Sequence, residues 1–430
     1  MTTSRADAVI VGGGIVGCAA AYYLARRGLA PLLLEACVVA GQQSGRNWGF
    51  VRQQGRDPRE VPLMVESNRI WRGLEVELGA DVEWTQGGNL ALAATEERMS
   101  LFEGWLDVAR HSGLDTRLVR ARELDAIVPG MQGVWVGGMY TPSDGHAEPA
   151  KATEAFARAA VQHGATIRTG CLVEALRAAS GAMTGVVVDG EETGASRVVC
   201  AAGAWSAPLL RTVGVSLPRR LVRATVARTT PAPRISEAGV WGPAVAFRQR
   251  RDGRLNLAAG GATDYDVTLD ALRHVRLFWP NYWQNRKLFR FHVGRALARD
   301  LARLWPRSRD RRSFPYERDA DPQPNRDKVA RSLAEFQRLF PSTDGLVIER
   351  SWAGYIDTTP DAVPVIDAVP SPRGLVVAAG FSGHGFAMGP IAGRLIAELV
   401  ADGKPSLDLQ GFRLARFTEG QPIAPRSSVL

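Results

Sequence analysis

The chain has 430 residues and a mass of 46.5 kDa, and 45% of its residues are hydrophobic. This is enough material for about three domain-sized units with buried cores, which excludes a small binding module, a disordered chain or a coiled coil as a description of the whole. No apolar run reaches the roughly 18 residues that cross a bilayer, and no signal-type segment is evident, so we expect a cytoplasmic protein.

The net charge of +9 comes mostly from one segment. Residues 286–312 contain ten basic and two acidic side chains, a local net charge of +8, and Trp279, Tyr282 and Trp283 lie just before them. Two interpretations stay open. The segment is either a basic amphipathic helix on the inner face of a membrane, or a helix that packs on the protein or docks an acidic partner subunit. No nucleic-acid motif accompanies the charge, so we expect no nucleic-acid partner.

The four cysteines lie in four separate apolar segments, and no two of them have C-x-x-C spacing. We therefore expect buried, reduced thiols and no metal site.

The first 35 residues carry the strongest motif. An apolar run at 7–11 is followed by G-x-G-x-x-G at Gly12, Gly14 and Gly17, and then by a helical stretch at 18–27. In a strand–loop–helix unit such glycines allow the tight turn, the close approach of a pyrophosphate and the close packing of helix on strand. A second apolar strand at 31–34 ends in Glu35, where a carboxylate can accept the ribose hydroxyls. The pattern predicts a dinucleotide site but does not separate NAD from FAD.

Further glycine-rich motifs occur along the chain. Residues 44–52 read S-G-R-N-W-G-F-V-R, and a glycine-bounded apolar strand at 374–380 leads into F-S-G-H-G-F-A-M-G-P and an amphipathic helix at 391–400. Together with V-V-C-A-A-G-A-W-S at 198–206 and W-A-G-Y-I-D-T-T-P-D at 352–361, these motifs resemble the D-amino acid oxidase-like (DAO) family of FAD-dependent oxidoreductases. The resemblance covers about residues 6–400 and includes the D-amino acid dehydrogenase, sarcosine oxidase and opine oxidase branches.

The resemblance implies an α/β fold, α+β overall, in which a Rossmann-type FAD-binding domain is interleaved with an antiparallel-sheet substrate domain. The FAD-binding pieces would be 1–85, 145–220 and 345–405, the substrate-domain pieces 86–144 and 221–344, and the C-terminal tail 406–430. Periodicity adds a helix at 148–163 and strands at 166–170, 185–188, 197–201, 221–228 and 255–259.

The resemblance also implies the residues around FAD. They are Gly12, Gly14, Ile15, Val16, Gly17, Glu35 and Ala36 at the adenosine and pyrophosphate, Ser44, Arg46, Asn47 and Gly49 along the phosphates and flavin edge, Val173 beside the adenine, Ala202, Gly203 and Trp205 at a second strand turn, and Gly383, His384, Gly385 and Phe386 at the pyrimidine side of the flavin. For His384 a purely structural role stays open. Some relatives tether FAD through an early histidine or a late cysteine, but the first histidine here is His111 and the last cysteine Cys200. Non-covalent FAD is therefore expected.

The substrate site is less well marked. In relatives that oxidise free amino acids an arginine usually follows W-x-G, and here Tyr355 follows Gly354. Arg52 is the first candidate for binding an acidic substrate group and Arg56 the second; the alternative is that Arg52 pairs with Asp57 or Glu60 as scaffold. Trp48, Tyr265 and Tyr355 either line an apolar pocket or belong to the core.

The resemblance therefore implies oxidation of the C–N bond of a secondary amine, an opine-type N-substituted amino acid or a D-amino acid. A hydride would pass to flavin N5, and the resulting imine would hydrolyse. Two alternatives remain, a D-amino acid dehydrogenase in the strict sense and a flavin-binding subunit that needs a partner. The electron acceptor would be O2, a membrane quinone or a partner protein, and no catalytic base can be named.

Overall fold

The structure is a computed structural model that describes residues 6–260, 263–286, 289–294, 297–298, 301 and 322–420. Two large sheets organise these residues. The strands are β1 Ala8–Val11, β2 Pro31–Leu34, β3 Phe50–Val51, β4 Asn89–Ala93, β5 Arg117–Arg120, β6 Gly137–Thr141, β7 Gly145–His146, β8 Thr166–Arg168, β9 Val173–Ala179, β10 Ala182–Val188, β11 Glu191–Gly194, β12 Val198–Cys200, β13 Arg220–Thr229, β14 Gly239–Trp241, β15 Val245–Gln249, β16 Leu255–Ala259, β17 Thr263–Asp266, β18 Phe289–His292, β19 Ile348–Thr358, β20 Val365–Ala368 and β21 Leu375–Ala379.

The helices lie between these strands and, in the last case, after them. They are α1 Ile15–Arg26, α2 Gln43–Arg46, α3 Val61–Leu78, α4 Glu96–His111, α5 Leu124–Ile127, α6 Pro149–Gln162, α7 Ser206–Arg211, α8 Leu269–Arg273, α9 Val275–Asn285, α10 Arg326–Leu339 and α11 Gly385–Ala401.

The first sheet has the order β20-β21-β12-β1-β2-β8 and is parallel except for β20. Its strands are short, and β1, β12 and β21 are wholly buried, as expected for the centre of a parallel sheet covered on both faces. Helix α1 covers one face and is buried from Ile15 to Ala25. Helix α11 packs directly against α1 because Gly393 has no side chain; a Cβ there would lie 2.4 Å from the Cβ of Ala19. The small residues therefore bring two helix N-termini close together at one edge of the sheet.

The second sheet is mostly antiparallel and has ten strands in the order β18-β17-β13-β16-β15-β14-β4-β6-β5, with β19 paired to β13. Helix α10 packs Phe336 onto Phe247 of this sheet, with ring centroids 5.1 Å apart. The prediction of a mixed α/β chain with a parallel and an antiparallel sheet is confirmed.

Most predicted elements are present with small shifts in their ends. Strands β2 and β16 have the predicted bounds, and α6 begins at Pro149, one residue after the start of the predicted helix 148–163. Helix α11 begins at Gly385, six residues before the predicted start, because the glycine-rich turn already enters its first turn.

The predicted domain boundaries remain a prediction, and two features of the structure differ from them. Strand β19 lies in the antiparallel sheet, although residues 345–405 were expected to belong to the FAD-binding pieces. Residues 406–420, expected to be a tail, pack Phe412 and Phe417 into buried clusters, while Arg416 pairs with Asp361 at 3.0 Å.

Three further predictions have partial outcomes. All four cysteines are free, with Cys18 and Cys200 buried and Cys37 and Cys171 half-buried. The basic segment 286–312 lies largely outside the described residues. Among the helices that are described, none is both long and apolar enough to span a membrane.

Candidate FAD and substrate site

A cleft of about 500 Å³ runs from the carboxyl ends of β1 and β2 to the antiparallel sheet. Clefts of this size, at the edge of a parallel sheet, are where α/β proteins bind cofactors and small ligands. One end is lined by Gly12, Gly14 and Glu35, and the other by Arg52 and Trp241. The glycine loop and the antiparallel sheet therefore contribute to a single site.

The glycine loop has the geometry that a dinucleotide phosphate requires. Gly12 has φ +113°, and a Cβ there would lie 2.4 Å from the carbonyl oxygen of Ala201. Gly14 is the N-cap residue of α1 and has no side chain that could cap the helix. Ser44 Oγ accepts a hydrogen bond from the Ile15 N–H at 2.9 Å. Ser44 thus satisfies one N–H of the first turn, and the absence of a side chain at Gly14 leaves room beside the partial positive charge of the helix N-terminus for a phosphate.

Glu35 lies at the end of β2, beside this loop. Its Oε2 accepts from the Gly13 N–H at 2.6 Å, and its Oε1 accepts from the Cys37 N–H at 2.8 Å. Burial raises the pKa of Glu35, and these backbone donors partly oppose the shift. The carboxylate is thereby held at the position where a ribose acceptor is needed.

The segment 41–49, which contains α2, is held by hydrogen bonds from its own side chains. Arg46 donates from Nε and Nη2 to the carbonyl of Gly41, at 3.1 and 3.0 Å. Asn47 donates to the carbonyl of Ser44 at 2.9 Å and accepts from the Gly49 N–H at 2.8 Å. These bonds fix the backbone along which the phosphates and flavin edge were predicted to lie.

Gln43 and Asp357 connect this loop to two other parts of the cleft. Gln43 donates to Asp357 Oδ1 at 2.8 Å and accepts from the Ala204 N–H at 2.9 Å. Asp357 Oδ2 accepts from the Gly380 N–H at 2.7 Å. Burial raises the pKa of Asp357, with these hydrogen bonds opposing the shift. Neither residue was predicted as a site residue, since no motif gives their mutual distance.

The opposite end of the cleft combines aromatic rings with two buried arginines. Trp48 and Phe50 lie against Trp241, with ring centroids 4.8 and 5.5 Å away. Arg52 lies over the Trp241 ring at 4.9 Å and donates to the carbonyl of Gln54 at 2.7 Å. Arg56 donates from Nε to the Arg52 carbonyl at 3.2 Å, while its Nη1 is buried without an acceptor among the described residues.

The two guanidinium groups are costly to bury side by side. Desolvation lowers the pKa of Arg52 well below its ordinary value, and the positive charge of Arg56 lowers it further. Burial likewise lowers the pKa of Arg56. The alternative was that Arg52 pairs with Asp57 or Glu60. In the structure Asp57 bonds Arg59 at 2.8 Å and Glu60 bonds His384 at 2.9 Å. The buried carboxylates of Asp144 and Glu60 partly offset the charge of both guanidinium groups, and an anionic ligand would add an acceptor beside them.

The structure places nearly all predicted site residues along this one cleft. They are Gly12, Gly14, Ile15, Val16, Glu35, Ala36, Ser44, Arg46, Asn47, Trp48, Gly49, Arg52, Val173, Ala202, Gly203, Trp205, Tyr355, Gly383, His384, Gly385 and Phe386. Gly17 is a packing position beneath the loop, where a Cβ would lie 2.0 Å from the Gly12 carbonyl oxygen.

Tyr265 is the predicted residue that the structure places elsewhere. Its ring packs on Phe289 and Phe291, at 4.9 and 5.7 Å, and Arg220 lies over it at 5.8 Å. On the same strand Thr263 lines the cleft. Two residues along a strand are about 7 Å, which is enough to move Tyr265 out of the site.

The geometry is that of a dinucleotide-binding fold, with two buried arginines at the far end of the cofactor cleft. A family model described as "DAO: FAD dependent oxidoreductase" matches residues 7–399, and the chain belongs to this family.

Three relatives illustrate the similarity. Human mitochondrial sarcosine dehydrogenase is 25% identical over 98% of this chain but 42% of its own length. Glycine oxidase from Geobacillus kaustophilus is 26% identical over 96% of this chain and 98% of its own length. The solved structure of an L-amino acid deaminase from Proteus myxofaciens superimposes with a TM-score of 0.88 at 28% identity, covering 96% of this chain and 94% of that chain. The chain thus spans less than half the length of the sarcosine dehydrogenases that it matches.

FAD is the cofactor of the family, and the residues present fit it. The glycine loop lacks side chains where a pyrophosphate would approach, and Glu35 would provide the acceptor for the ribose. Backbone N–H groups around Gly383 and Gly385 at the start of α11 provide donors at the far end.

Proposed function

We propose that the chain oxidises the C–N bond of an amino acid or a carboxylated secondary amine with non-covalently bound FAD. The observation that carries the proposal is that one cleft joins the glycine loop to two buried arginines. Bound FAD supplies the chemistry by accepting a hydride from the carbon next to nitrogen. The resulting imine then hydrolyses in water.

The arginine pair favours a substrate that carries a carboxylate. Arg52 and Arg56 are 7% and 3% exposed, and both line the cleft. A carboxylate can accept from both guanidinium groups and would supply the acceptor that Arg56 Nη1 lacks. Both groups would hold the substrate in one orientation, which is the main contribution the protein makes to hydride transfer.

The aromatic wall supports an apolar group elsewhere on the substrate. Trp48, Phe50 and Trp241 form a continuous surface beside Arg52. Such a wall excludes water and favours an apolar side chain or an N-alkyl group. It does not select between a D-amino acid, an opine-type compound and an N-methyl amino acid, so the D-amino acid dehydrogenase remains the alternative within this proposal.

The test is anaerobic bleaching of the flavin absorbance by a panel of D- and L-amino acids, N-methyl amino acids, opines and polyamines. Bleaching by a carboxylated class, and not by the polyamines, supports the proposal. Re-oxidation on admission of air then distinguishes O2 from a quinone or a protein as acceptor. Full FAD occupancy without bleaching by any compound would contradict the proposal and favour a flavin-binding subunit that needs a partner.

The Arg52→Ala variant tests the carboxylate site. KM should rise about 100-fold for a carboxylated substrate, because a charge-assisted hydrogen-bonded pair contributes about 1.5–3 kcal/mol. The same substitution should leave KM for the uncharged amide or ester of that substrate nearly unchanged. Equal changes in KM for both compounds would indicate that Arg52 has only a structural role.

A second proposal concerns the surface at α9 and β18, which we call the aromatic patch. Its exposed large apolar residues are Leu272, Val275, Trp279, Trp283, Phe291 and Val293. Arg276, Arg286 and Arg290 are exposed among them. Exposed tryptophans surrounded by arginines are typical of a protein that rests on an anionic membrane surface. We propose this surface as the contact with the inner face of a membrane, in an otherwise cytoplasmic protein.

Vesicle flotation tests the aromatic patch. The full chain should float with vesicles containing phosphatidylglycerol and should not float with phosphatidylcholine alone. The double variant Trp279→Ser/Trp283→Ser should lose flotation, while Val134→Ser, at a residue 92% exposed on another surface, should retain it. Equal flotation by both variants would contradict the proposal that the aromatic patch contacts the membrane. Binding to neither vesicle would favour an acidic partner protein.

A further inference from the structure

A histidine–glutamate pair lies at the cleft end of α11. His384 is the N-cap residue of this helix and lines the cleft, and its Nδ1 is 2.9 Å from Oε1 of Glu60. Glu60 is the N-cap residue of α3 and its side chain is fully buried. The pair joins residues 324 positions apart in the sequence.

The hydrogen bond determines which nitrogen of His384 is free. We assign the Nδ1–H tautomer, in which Nδ1 donates to Glu60 Oε1 and Nε2 keeps its lone pair. The charged groups that act on the ring are Arg56, Glu60 and Arg52. Burial lowers the pKa of His384, the positive charge of Arg56 lowers it further, and Glu60 partly opposes both. The ring is therefore neutral at neutral pH and presents an acceptor.

The position of the arginines locates the substrate nitrogen relative to this acceptor. In an α-amino acid the carboxylate and the amine are bonded to the same carbon. A carboxylate on Arg52 and Arg56 therefore brings its amine close to these arginines, whose charges act on the ring of His384 in the same cleft. The amine arrives as an ammonium ion, whose nitrogen has no electron pair to support loss of hydride from the adjacent carbon. A proton must leave before oxidation.

We propose that Nε2 of His384 accepts this proton from the substrate ammonium group and that Glu60 is the positioning residue that holds the ring. The N–H bond of the ammonium breaks, its electron pair stays on the substrate nitrogen, and the proton forms the Nε2–H bond of an imidazolium. Glu60 stabilises that imidazolium, because its Oε1 already contacts the ring and its buried Oε2 has no partner among the described residues. This inference rests on the proposed function and names the base that the sequence does not identify.

The kinetic test compares wild type and His384→Asn by anaerobic flavin bleaching across pH. The variant should reduce its flavin about 100-fold more slowly than wild type near pH 7, within the range for loss of a general base. The difference should nearly disappear above the pKa of the substrate amine, where the neutral amine binds directly. Identical pH profiles for the two proteins would overturn the inference.

A second pair provides the matched control. His292 bonds the buried Asp264 at 2.9 Å, outside the cleft. His292→Asn removes the same type of pair and should keep the wild-type pH profile. Glu60→Gln keeps a hydrogen-bond acceptor and loses the charge, so it should retain KM and lower kcat near pH 7. A change in KM alone would make Glu60 a binding residue and contradict the assignment.

A measurement on the resting holoenzyme does not depend on turnover. With ¹⁵N-histidine labelling, the His384 signals are those missing from His384→Asn, and they should show a proton on Nδ1 and none on Nε2 at pH 7. A protonated Nε2, or a visible flavin band that shifts with pH without substrate and stops shifting in His384→Asn, would overturn the inference. Absence of bleaching by any amine would instead count against the proposed function, so the two failures are distinguishable.

Discussion

The effect of substituting a glycine in this protein depends on how closely the neighbouring backbone approaches it. Gly12 and Gly28 both have positive φ, +113° and +79°, but their surroundings differ. A Cβ on Gly12 would lie 2.4 Å from the Ala201 carbonyl oxygen, whereas a Cβ on Gly28 would meet nothing within 4 Å. Substituting each glycine therefore distinguishes the effect of backbone strain alone from the effect of displacing the cofactor loop.

We expect Gly12→Ala to lose FAD, because the loop must move away from β12 to admit the methyl group. Gly28→Ala should keep full FAD occupancy and lose roughly 1–2 kcal/mol of stability through its left-handed backbone alone. The ratio of flavin absorbance to protein absorbance, with thermal unfolding of each variant, measures both effects. Full occupancy in Gly12→Ala would contradict the assignment of this loop to the pyrophosphate.

A buried histidine outside the cleft gives a pH-dependent prediction. His146 Nε2 lies 3.0 Å from the Glu237 carbonyl oxygen, and burial lowers its pKa to about 3. The unfolded chain takes up a proton near pH 6.5, so stability present above that pH is lost as the pH falls toward 3. His146→Gln keeps an N–H donor without titrating. Between pH 6 and 4 the free energy of unfolding of wild type should fall more steeply than that of the variant, by about 1.4 kcal/mol per pH unit at most.

Asp144 acts with the opposite sign in the same pH range. Its carboxylate accepts from Gln53 and Gln54, but burial still raises its pKa to about 6 from 3.8. It therefore favours folding at low pH, and that contribution is lost as the pH rises from 3.8 to 6. Since both proteins in the comparison retain Asp144, its contribution cancels. Equal slopes for wild type and His146→Gln would show that His146 is protonated in the folded state.

At the scale of elements, the aromatic wall depends on a buried ion pair between α6 and β15. Arg248 is 1% exposed, its Nη2 lies 2.6 Å from Glu148 Oε1, and its Nε donates to the Trp48 carbonyl. Arg250 also contacts Glu148, at 2.8 Å. The loop that carries Trp48 is thus held by side chains from two elements that follow it by 100 and 200 residues.

Arg248→Gln should destabilise the protein by about 3 kcal/mol, because it leaves Glu148 in a buried site with one partner fewer. It should also raise KM, since the Trp48 wall loses its anchor. Arg254→Gln breaks a pair at 2.9 Å with Glu349 that is exposed on the same sheet, and it should change neither quantity measurably. Chemical denaturation and steady-state kinetics test both variants. Equal destabilisation by the two would reject the argument from burial.

The strands and their pairings show how much of the fold and the site could be predicted from the sequence. Strand β2 has its predicted bounds because its apolar run lies between a glycine turn and an acidic residue, both local signals. The pairing of β19 with β13 could not be predicted, since the two strands are more than 100 residues apart and alternation does not identify a partner. The Glu60–His384 pair and Trp241 were missed for the same reason: their chemistry depends on contacts between distant segments. For Tyr265 the sequence left a pocket wall and the core as alternatives, because no local pattern separates them, and the structure places this residue in the core.

For the whole molecule, the cleft lies between the two sheets and takes residues from four separated stretches of the chain. Gly12 and Glu35 come from the first stretch, Ala202 from the second, Trp241 from the third and His384 from the last. A ligand in this cleft lies between walls that belong to both sheets, so its site is complete only in the fully folded chain. FAD binding should therefore stabilise both sheets together and not the parallel sheet alone.

Removal of FAD should lower Tm, and adding it back should raise Tm with the logarithm of its concentration, by about 2.7 kcal/mol of stability at 100 times Kd. Calorimetry of the FAD-free chain against increasing FAD measures this dependence. Gly12→Ala is the control, and its Tm should not respond. Because the walls of the cleft belong to both sheets, the holoenzyme should unfold in one transition that moves as a whole. Two transitions, of which FAD shifts only one, would show that the antiparallel sheet folds independently of the cofactor.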